Sequence, residues 1–251
     1  METSVVVFDI RNFTDNYLFF SSIKDNQFKK FIEDICSYGY NLALKISDGE
    51  NNFYFNTTGD GFILLFFSDY HFIKCYLWGL LFNYYAIKKC NEFENITDRS
   101  MSFGIGIESG DVEQISIKNN PNPIYTYLGN VINIASRIES LTKTIARTTL
   151  IIGDEINQLL VKTLYNIDYR SKREDARKSS DEKNTNKINN LLNETNQKML
   201  VNYISLITLK GVDKPIAIYR LSPHFFKKDN EVFLRLINSL SSIIDKNFYI
   251  K

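Results

Sequence analysis

The sequence is poor in cysteine and histidine, which limits the metal sites and covalent cross-links that it can form. It contains three cysteines, Cys36, Cys75 and Cys90, and two histidines. The cysteines are widely spaced and form no Cys-x-x-Cys pair, so neither a zinc site of the usual ligand spacing nor a disulfide framework is indicated. Reduced thiols buried in a core are typical of cytosolic proteins, and we therefore expect a cytoplasmic location.

The sequence also lacks an excess of charge and a long apolar run. Lys and Arg number 30 and Asp and Glu 29, so the net charge of +1 gives no field that would attract nucleic acid or an anionic membrane. The most apolar segment, residues 72–87, is interrupted by Lys74 and is too short and too rich in Tyr for a membrane span, so a buried helix is predicted. The first residues lack the basic region of a signal peptide. We expect no nucleic-acid or membrane partner.

What the sequence does contain is a strand that ends in a carboxylate. Residues 5–8 (Val-Val-Val-Phe) are typical of a buried strand, and Asp9 follows them directly before a polar turn and a helix. Such a strand places a charge at the rim of a sheet, where metal and phosphate sites are often built. The backbone N–H groups of the turn are candidates for binding a polyphosphate. This turn comprises Ile10, Arg11, Asn12, Phe13 and Thr14.

A second carboxylate, Asp60, stands in the tip of a predicted hairpin. Two apolar runs, 53–55 and 62–66, are joined by Thr58-Gly59-Asp60-Gly61, and a Gly-Asp-Gly turn between such runs favours a hairpin. If the first strand lies beside this hairpin, Asp9 and Asp60 converge, and two hard oxygen ligands suit Mg²⁺ or Mn²⁺ together with substrate phosphates. Each Asp taken alone is better explained as an ordinary turn residue.

The remaining elements predict an α+β protein with a ferredoxin-like, mixed and mainly antiparallel sheet that carries helices on one face. Predicted strands cover residues 4–9, 53–55, 62–66, 101–107, 125–127, 149–152, 204–209 and 216–221. Predicted helices cover residues 25–47, 70–89, 130–143, 154–164 and 231–245. Glycines inside the strand 101–107 predict a close approach of another backbone, and residues 109–123 are predicted to form a polar loop or arm.

The composition of the chain changes near residue 169, and this change marks the start of a predicted insertion in the domain. Residues 169–197 are rich in Lys, Arg, Glu, Asp, Asn and Ser and nearly lack bulky apolar residues. This composition predicts a solvated insertion that is disordered or loosely helical. We expect residues 1–222 to form one domain around this insertion, and residues 223–251 to add a C-terminal helical extension.

One further segment carries candidate catalytic residues. In the predicted helix 130–143, Asn133 and Arg137 are four residues apart and therefore share one helix face. Arg137 offers a permanent charge whose geometry matches phosphate, and Asn133 can bind a hydroxyl or a ring oxygen. Taken alone, the pair is also what an ordinary surface helix contains. Lys210, at the turn after strand 204–209, is in isolation typical of an exposed lysine.

Taken together, these stretches resemble the class III nucleotidyl cyclases, the family of adenylate and guanylate cyclase catalytic domains. The resemblance runs from Val5 to about Leu221 and is interrupted by the charged insertion. The chain departs from the family at Asn12, where a Gly is usual. The motifs, in family order, are Phe8-Asp9-Ile10-Arg11-Asn12-Phe13-Thr14, Thr58-Gly59-Asp60-Gly61-Phe62, Gly104 to Val112, Tyr125 to Glu139, and Leu209-Lys210-Gly211 with Pro215 and Tyr219-Arg220-Leu221.

The resemblance implies a head-to-tail homodimer with two active sites at its interface. On one protomer, two divalent ions, Mn²⁺ or Mg²⁺, would be held by Asp9, Ile10 (through its carbonyl) and Asp60. Asn133 and Arg137 would come from the other protomer, with Lys210 reaching the phosphates. The implied reaction is attack of the 3′-hydroxyl of a ribonucleoside triphosphate on its own α-phosphate, which yields a 3′,5′-cyclic nucleotide and pyrophosphate.

The identity of the base follows less directly, because the base-reading positions depart from the family. Adenylate cyclases usually carry Lys four residues before the second metal Asp, and guanylate cyclases tend to carry Glu, whereas this chain has Asn56. The partner position is Thr126, as in many bacterial members. Residues 53–55 (Phe-Tyr-Phe) crowd the strand that leads to the pocket, and they either narrow it for a small base or belong to the core.

Three functions stay open at this point. The chain shows no sensor domain, membrane anchor or second catalytic domain, and small stand-alone relatives with altered base-reading residues resemble the pyrimidine cyclases of the Pycsar anti-phage system. We therefore favour UTP or CTP as the substrate, with adenylate cyclase activity as the alternative. A catalytically dead module that binds nucleotide or protein is the third function, although the retention of both aspartates, Asn133 and Arg137 argues against it.

Overall fold

The computed structural model describes residues 1–117, 124–145, 148–171, 182–210, 212, 214–221 and 231–245. The strands are β1 (Glu2–Arg11), β2 (Phe53–Thr57), β3 (Gly61–Phe66), β4 (Ser102–Asp111), β5 (Glu113–Ile117), β6 (Ile124–Leu128), β7 (Leu150–Ile152), β8 (Val201–Ile207) and β9 (Ile216–Leu221). The helices are α1 (Phe13–Ser22), α2 (Gln27–Ser47), α3 (His71–Thr97), α4 (Asn130–Leu141), α5 (Asp154–Tyr165), α6 (Glu182–Lys198) and α7 (Glu231–Ile243).

A single large sheet organises the described residues. It contains seven strands in the order β2-β3-β1-β4-β7-β9-β8, while β5 and β6 form a separate hairpin. Within this sheet β4 and β7 run parallel and the other neighbours run antiparallel. The first four strands in this order, with α2 between β1 and β2 and α3 between β3 and β4, have the ferredoxin-like arrangement. The predicted α+β class with a mixed, mainly antiparallel sheet is therefore confirmed.

Helices cover both faces of the sheet. Alternate residues of a strand point in opposite directions, so one strand supplies side chains to both helical layers. Val6, Phe8 and Ile10 of β1 join the large core beneath α2 and α3, whereas Val5 and Val7 pack on the side that carries α4. The predicted placement of helices on one face is therefore wrong. Both sides of the central strand are apolar because both are buried, so its sequence does not alternate and does not reveal the second layer.

Helix α4 lies directly on the backbone of β4, because two glycines make room for it. A Cβ added to Gly106 would collide with the Ala135 carbonyl oxygen and the Glu139 nitrogen, and a Cβ added to Gly104 would collide with the Glu139 carboxylate. The close backbone approach predicted from glycines inside this strand is confirmed. It places the last turn of α4 against the start of β4.

Several predicted boundaries differ from those in the structure. The strand β4 continues through residues 109–111, and β5 follows at 113–117, where the sequence predicts a polar loop or arm. Helix α3 extends to Thr97 rather than to residue 89, because buried residues continue at helical spacing as far as Phe93. The predicted buried helix over residues 72–87 is confirmed within α3. None of the helices that the structure describes is long and apolar enough to cross a membrane.

The charged stretch 169–197 is partly built into the core, so the prediction of a solvated insertion is wrong at both of its ends. The side chain of Tyr169 is 1% exposed, and its hydroxyl donates a hydrogen bond to the Asp154 carboxylate. In α6, Leu192 is buried in the main core, and the helix packs on β8. Few apolar residues at helical spacing are enough to anchor this segment, and the many polar residues on its outer side hide them in the sequence. Residues 172–181 lie outside the described part.

The C-terminal helix α7 belongs to the core and is not an appended extension. The Phe233 ring lies 6.2 Å from the ring of Tyr84 in α3, and Leu236, Ile237 and Leu240 are buried. Residues 222–230, which include the predicted domain boundary, lie outside the described part. The described residues on either side of that boundary therefore share one hydrophobic core.

Candidate active site

Two carboxylates meet at the end of the sheet where β1 finishes, which we call the Asp9 end. β1 pairs with β3 so that Asp9 lies opposite Gly61, next to Asp60 in the hairpin tip. The Ile10 N–H donates to the Asp60 carbonyl oxygen at 2.9 Å, and Gly59 has a φ of +100°, which glycine adopts readily. Burial, and after it the charge of Asp60, raises the pKa of Asp9. The two carboxylates therefore influence each other, as the sequence predicts.

The chemistry of the Asp9 end fits a divalent metal ion. Two partly buried carboxylates that repel each other are stabilised by a shared cation, and oxygen ligands are those that Mg²⁺ and Mn²⁺ prefer. Among the described residues, no group of three or more His, Cys, Asp or Glu side chains is arranged around a common metal position. Backbone carbonyls such as that of Ile10, water and a substrate are further oxygen ligands that would suit such an ion.

The turn after Asp9 brings the start of α1 to the same end of the sheet. Asn12 has φ 59° and ψ 22°, a left-handed conformation that Gly and Asn adopt more easily than other residues, which explains how Asn replaces the usual Gly. The Phe13 ring packs against that of Phe28 at 5.2 Å, so its backbone alone is available to a ligand. Thr14 is exposed, and the first N–H groups of a helix are suited to bind phosphate.

The side chain of Arg11, which the sequence places in the substrate-binding turn, extends to α4. Its guanidinium donates to the Thr142 carbonyl oxygen at 3.2 Å and to the Thr142 hydroxyl, and it lies 3.9 Å from the Glu139 carboxylate. Burial lowers the pKa of Arg11. The side chain therefore attaches α4 to β1, and the backbone of Arg11 is what remains for a phosphate.

Lys143 is a part of the Asp9 end that no sequence motif marks. Its Nζ lies 3.4 Å from Asp9 Oδ2, and the two side chains are 51% and 26% exposed, respectively. It lies two residues beyond Leu141, the last residue of α4, and cations are favoured at helix C-termini. Its position depends on the direction of α4, because a helix that runs back along β4 brings a cation beyond its C-terminus close to Asp9.

Asn133 and Arg137 stand on the side of α4 that points away from the sheet. Val131, Ala135 and Ile138 are buried, whereas Asn133 is exposed and Arg137 is partly exposed. The side chains of Asn133 and Arg137 form no hydrogen bond or ion pair with another described residue. The shared helix face predicted for the pair is present, and both side chains are available to another molecule.

Position along the sheet separates the start of α4 and Lys210 from the carboxylates. Helix α4 begins beside Asp111, at the end of the sheet opposite to Asp9. The contact is close, since a Cβ added to Gly129, the residue before α4, would crowd the Asp111 carbonyl oxygen. The connection from β8 to β9, which carries the exposed Lys210, also lies at that opposite end, because β7 is parallel to β4 and β9 is antiparallel to β7. In one chain, Lys210 and Asp9 are therefore on opposite ends of the sheet.

Comparison with known proteins identifies the family. The family model of the adenylate and guanylate cyclase catalytic domain matches residues 2–199 of the 251-residue chain. The chain belongs to this family. The predicted resemblance to class III cyclases is confirmed, and with it a nucleotidyl cyclase fold in a family that uses divalent metal ions. The match assigns no role to individual residues and ends before Lys210, so the roles of all the site residues stay predictions.

Solved cyclase structures share this fold at low sequence identity. The adenylyl cyclase CyaB from P. aeruginosa superposes with a TM-score of 0.59 at 14% identity, covering 91% of this chain and 96% of that chain. The guanylate cyclase domain of RhGC from Catenaria anguillulae, in complex with GTP, gives 0.54 at 18% identity, covering 88% and 96%. The guanylyl cyclase domain of the RhoGC fusion protein from Blastocladiella emersonii gives 0.52 at 16% identity, covering 88% and 95%. No curated protein sequence matches the chain.

In this cyclase domain the predicted base-reading positions lie on two strands, β2 and β6, that contact each other through their tyrosines. The rings of Tyr54 in β2 and Tyr127 in β6 are 4.9 Å apart, which brings together the two strands that carry Asn56 and Thr126. Asn56 follows Tyr54 on the same side of β2 and is exposed, and Thr126 is partly exposed. Both are uncharged, so neither imposes the choice that a Lys or a Glu would make between purine bases.

The aromatic residues 53–55 divide between the core and the site. Phe53 and Phe55 point to the side of α2, where their rings lie 5.5 Å and 5.7 Å from the ring of Tyr40. Tyr54 alone of the three faces the side of the sheet that carries Asn56. The expectation that these residues narrow the base pocket therefore applies to Tyr54 and not to its neighbours.

Proposed function

We propose that this chain is a metal-dependent nucleotidyl cyclase that works as a head-to-tail homodimer and converts UTP or CTP to the 3′,5′-cyclic nucleotide and pyrophosphate. A product of this kind would serve as a second messenger in anti-phage defence of the Pycsar type. The reaction class is supported by membership of the cyclase family, and the choice of base by the departures at Asn56 and Thr126.

The observation that carries the proposal is the separation of the two halves of the site within one chain. The Asp9 end holds the carboxylates, whereas Lys210 and the start of α4 lie at the opposite end. A two-fold axis that places the Asp9 end of one protomer against the opposite end of the other would complete two equivalent sites. A homodimer with shared sites therefore uses all the predicted residues, and a monomer does not.

Within such a site, the residues of this chain have distinct tasks. Asp9 and Asp60 would hold the divalent ions, which when bound lower the pKa of the 3′-hydroxyl and neutralise phosphate charge. Asn133 would orient the ribose so that the 3′-oxygen is in line with the α-phosphate. Arg137 would bind the charge that grows on the α-phosphate as the new bond forms and pyrophosphate leaves. Lys210 would bind the outer phosphates.

Two other functions make different predictions. An adenylate cyclase would accept ATP in spite of Asn56 standing where that class usually has Lys. A catalytically dead module would bind a nucleotide or a protein and release no pyrophosphate. Asn133 and Arg137 lie on one helix face, and their side chains have no partner among the described residues, which favours an active enzyme over the dead module.

The decisive experiment is to incubate the full chain with Mn²⁺ and, separately, with each of the four ribonucleoside triphosphates, and to measure pyrophosphate and the cyclic product. We expect cyclic UMP or cyclic CMP as the main product. Cyclic AMP as the sole product would refute the pyrimidine assignment, and no pyrophosphate from any substrate would refute the enzyme.

A substitution at Asn56 tests the choice of base within the same assay. Asn56→Lys restores the residue usual in adenylate cyclases, and we expect it to raise the rate with ATP relative to that with UTP and CTP. Asn51→Lys is the matched control, because Asn51 is an exposed residue just before β2. Equal substrate preference in both variants would remove Asn56 from the base-reading set.

A further inference from the structure

Lys143 lies among the charged groups of the Asp9 end and is the most exposed cation there. Its Nζ is 3.4 Å from Asp9 Oδ2, and 51% of its side chain is exposed. Among the described residues, Arg11 is the other cation that acts on Asp9, but its side chain is 20% exposed and bound to Thr142 and Glu139. A lysine has a flexible four-carbon stem and three donors that rotate, so Lys143 is the cation that can change partners.

The charges at this end require a cation on Asp9 whether or not a metal ion is present. Asp9 and Asp60 repel each other, and Glu139 adds a third carboxylate nearby. Its Oε1 accepts no hydrogen bond from a described residue and lies 3.9 Å from the Arg11 guanidinium. A divalent ion on Asp9 would replace the lysine, because two cations so close to one carboxylate repel each other. The displaced ammonium group then needs an anion, and a bound triphosphate supplies one.

We propose that Lys143 is the counter-ion of Asp9 in the metal-free protein and moves to the triphosphate when metal and nucleotide bind. This proposal rests on the proposed metal site at Asp9 and Asp60. Lys143 is thus a positioning residue with two opposite effects. It weakens the binding of a metal ion alone, because it competes for Asp9, and it strengthens the binding of the phosphates.

The test measures both effects on the purified full chain, without turnover and without knowledge of the base. Mn²⁺ binding is followed by electron paramagnetic resonance in the absence of nucleotide, and binding of inorganic tripolyphosphate is followed by calorimetry in the presence of Mn²⁺. For Lys143→Met we expect Mn²⁺ to bind about two- to fivefold more tightly, the range that a partly exposed ion pair supports, and tripolyphosphate to bind more weakly. A merely structural role would not move the two affinities in opposite directions.

Three further variants separate the possible results. Lys143→Arg retains the charge and should restore both affinities to near the wild-type values. Lys88→Met removes a lysine that pairs with Glu92 on α3 and should change neither affinity. If Asp60→Asn abolishes Mn²⁺ binding while Lys143→Met binds Mn²⁺ and tripolyphosphate like the wild type, the role of Lys143 is refuted and the cyclase proposal stands. If Asp60→Asn binds Mn²⁺ like the wild type, the metal site itself is misplaced and both proposals fall.

Discussion

The two ends of the sheet differ in how far a single chain completes them. At the Asp9 end, the charged side chains of Asp9 and Arg11 are paired with groups at the end of α4. By contrast, Lys210 at the opposite end and the side chains of Asn133 and Arg137 on the outer side of α4 have no hydrogen-bonded or ionic partner among the described residues.

The difference has a physical cause. An exposed arginine or lysine keeps its hydration and tolerates the lack of a partner, whereas two partly buried carboxylates lose hydration and repel each other. The Asp9 end must therefore be neutralised within its own chain, and the other end does not have to be. A surface of this second kind is suited to receive a charged substrate carried by a second subunit.

The largest effect should come from a substitution at the Asp9 end. We expect Asp9→Ala to lower the cyclase rate by about 10³-fold or more, because it removes a ligand of ions that contribute several kcal/mol to the transition state. The rate of pyrophosphate release measures this change. Asp69→Ala is the control, since Asp69 is exposed and lies before α3. A rate for Asp9→Ala within tenfold of the wild type would show that the Asp9 end is not the metal site.

The next effect concerns the unpaired side chains of α4. Arg137→Ala should lower kcat by about 10²–10³, the usual loss when one donor to transition-state charge is removed. Since Arg137 would serve the site of the other subunit, an equal mixture of Arg137→Ala and Asp9→Ala chains should recover about a quarter of the wild-type rate through heterodimers with one intact site. No recovery after subunit exchange would contradict the shared site and would mean that each chain forms its active site alone.

A smaller effect tests the helix that joins the two ends. Gly106→Ala should lower the free energy of unfolding by about 1–3 kcal/mol, because its Cβ would push α4 away from β4. Denaturant unfolding measures the change, with Ser102→Ala at an exposed position of the same strand as the control. Equal stability of the two variants would mean that α4 can move away from the sheet without loss.

The smallest effect is expected at the turn after Asp9. Asn12→Ala should destabilise the fold by about 1 kcal/mol, because its left-handed conformation is unfavourable for residues other than Gly and Asn. Asn12→Gly should leave both the unfolding free energy and the cyclase rate close to those of the wild type. A larger loss for Gly than for Ala would show that the Asn side chain, and not its backbone conformation, is what this position requires.

Local patterns were enough to predict the strand before Asp9, the hairpin around Asp60 and the helix that carries Asn133 and Arg137. The glycines of β4 also predicted a close neighbour, but not that it would be α4. These features depend on residues that are near in sequence, or on a backbone conformation that few residues adopt.

What the sequence did not reveal depends on long-range contacts. The pairing of Lys143 with Asp9 and the attachment of Arg11 to Thr142 follow from the direction of α4 across the sheet, which no local pattern encodes. The burial of Tyr169 at the start of the charged stretch has the same origin, since its partner Asp154 belongs to α5. The average composition of this stretch reflects its exposed polar side chains and not the few buried residues that attach it to the core.

The direct contact of α4 with β4 has a consequence for inheritance. In a head-to-tail dimer, the middle of this helix would serve one site and its last turn the other, and at Gly106 no side chain separates the helix from the strand. An Asp9 substitution spoils one site of a mixed dimer, but a displaced α4 would spoil both. In a cell that expresses equal amounts of normal and Gly106-substituted chains, about three quarters of the dimers would then be inactive, so the defect would be dominant.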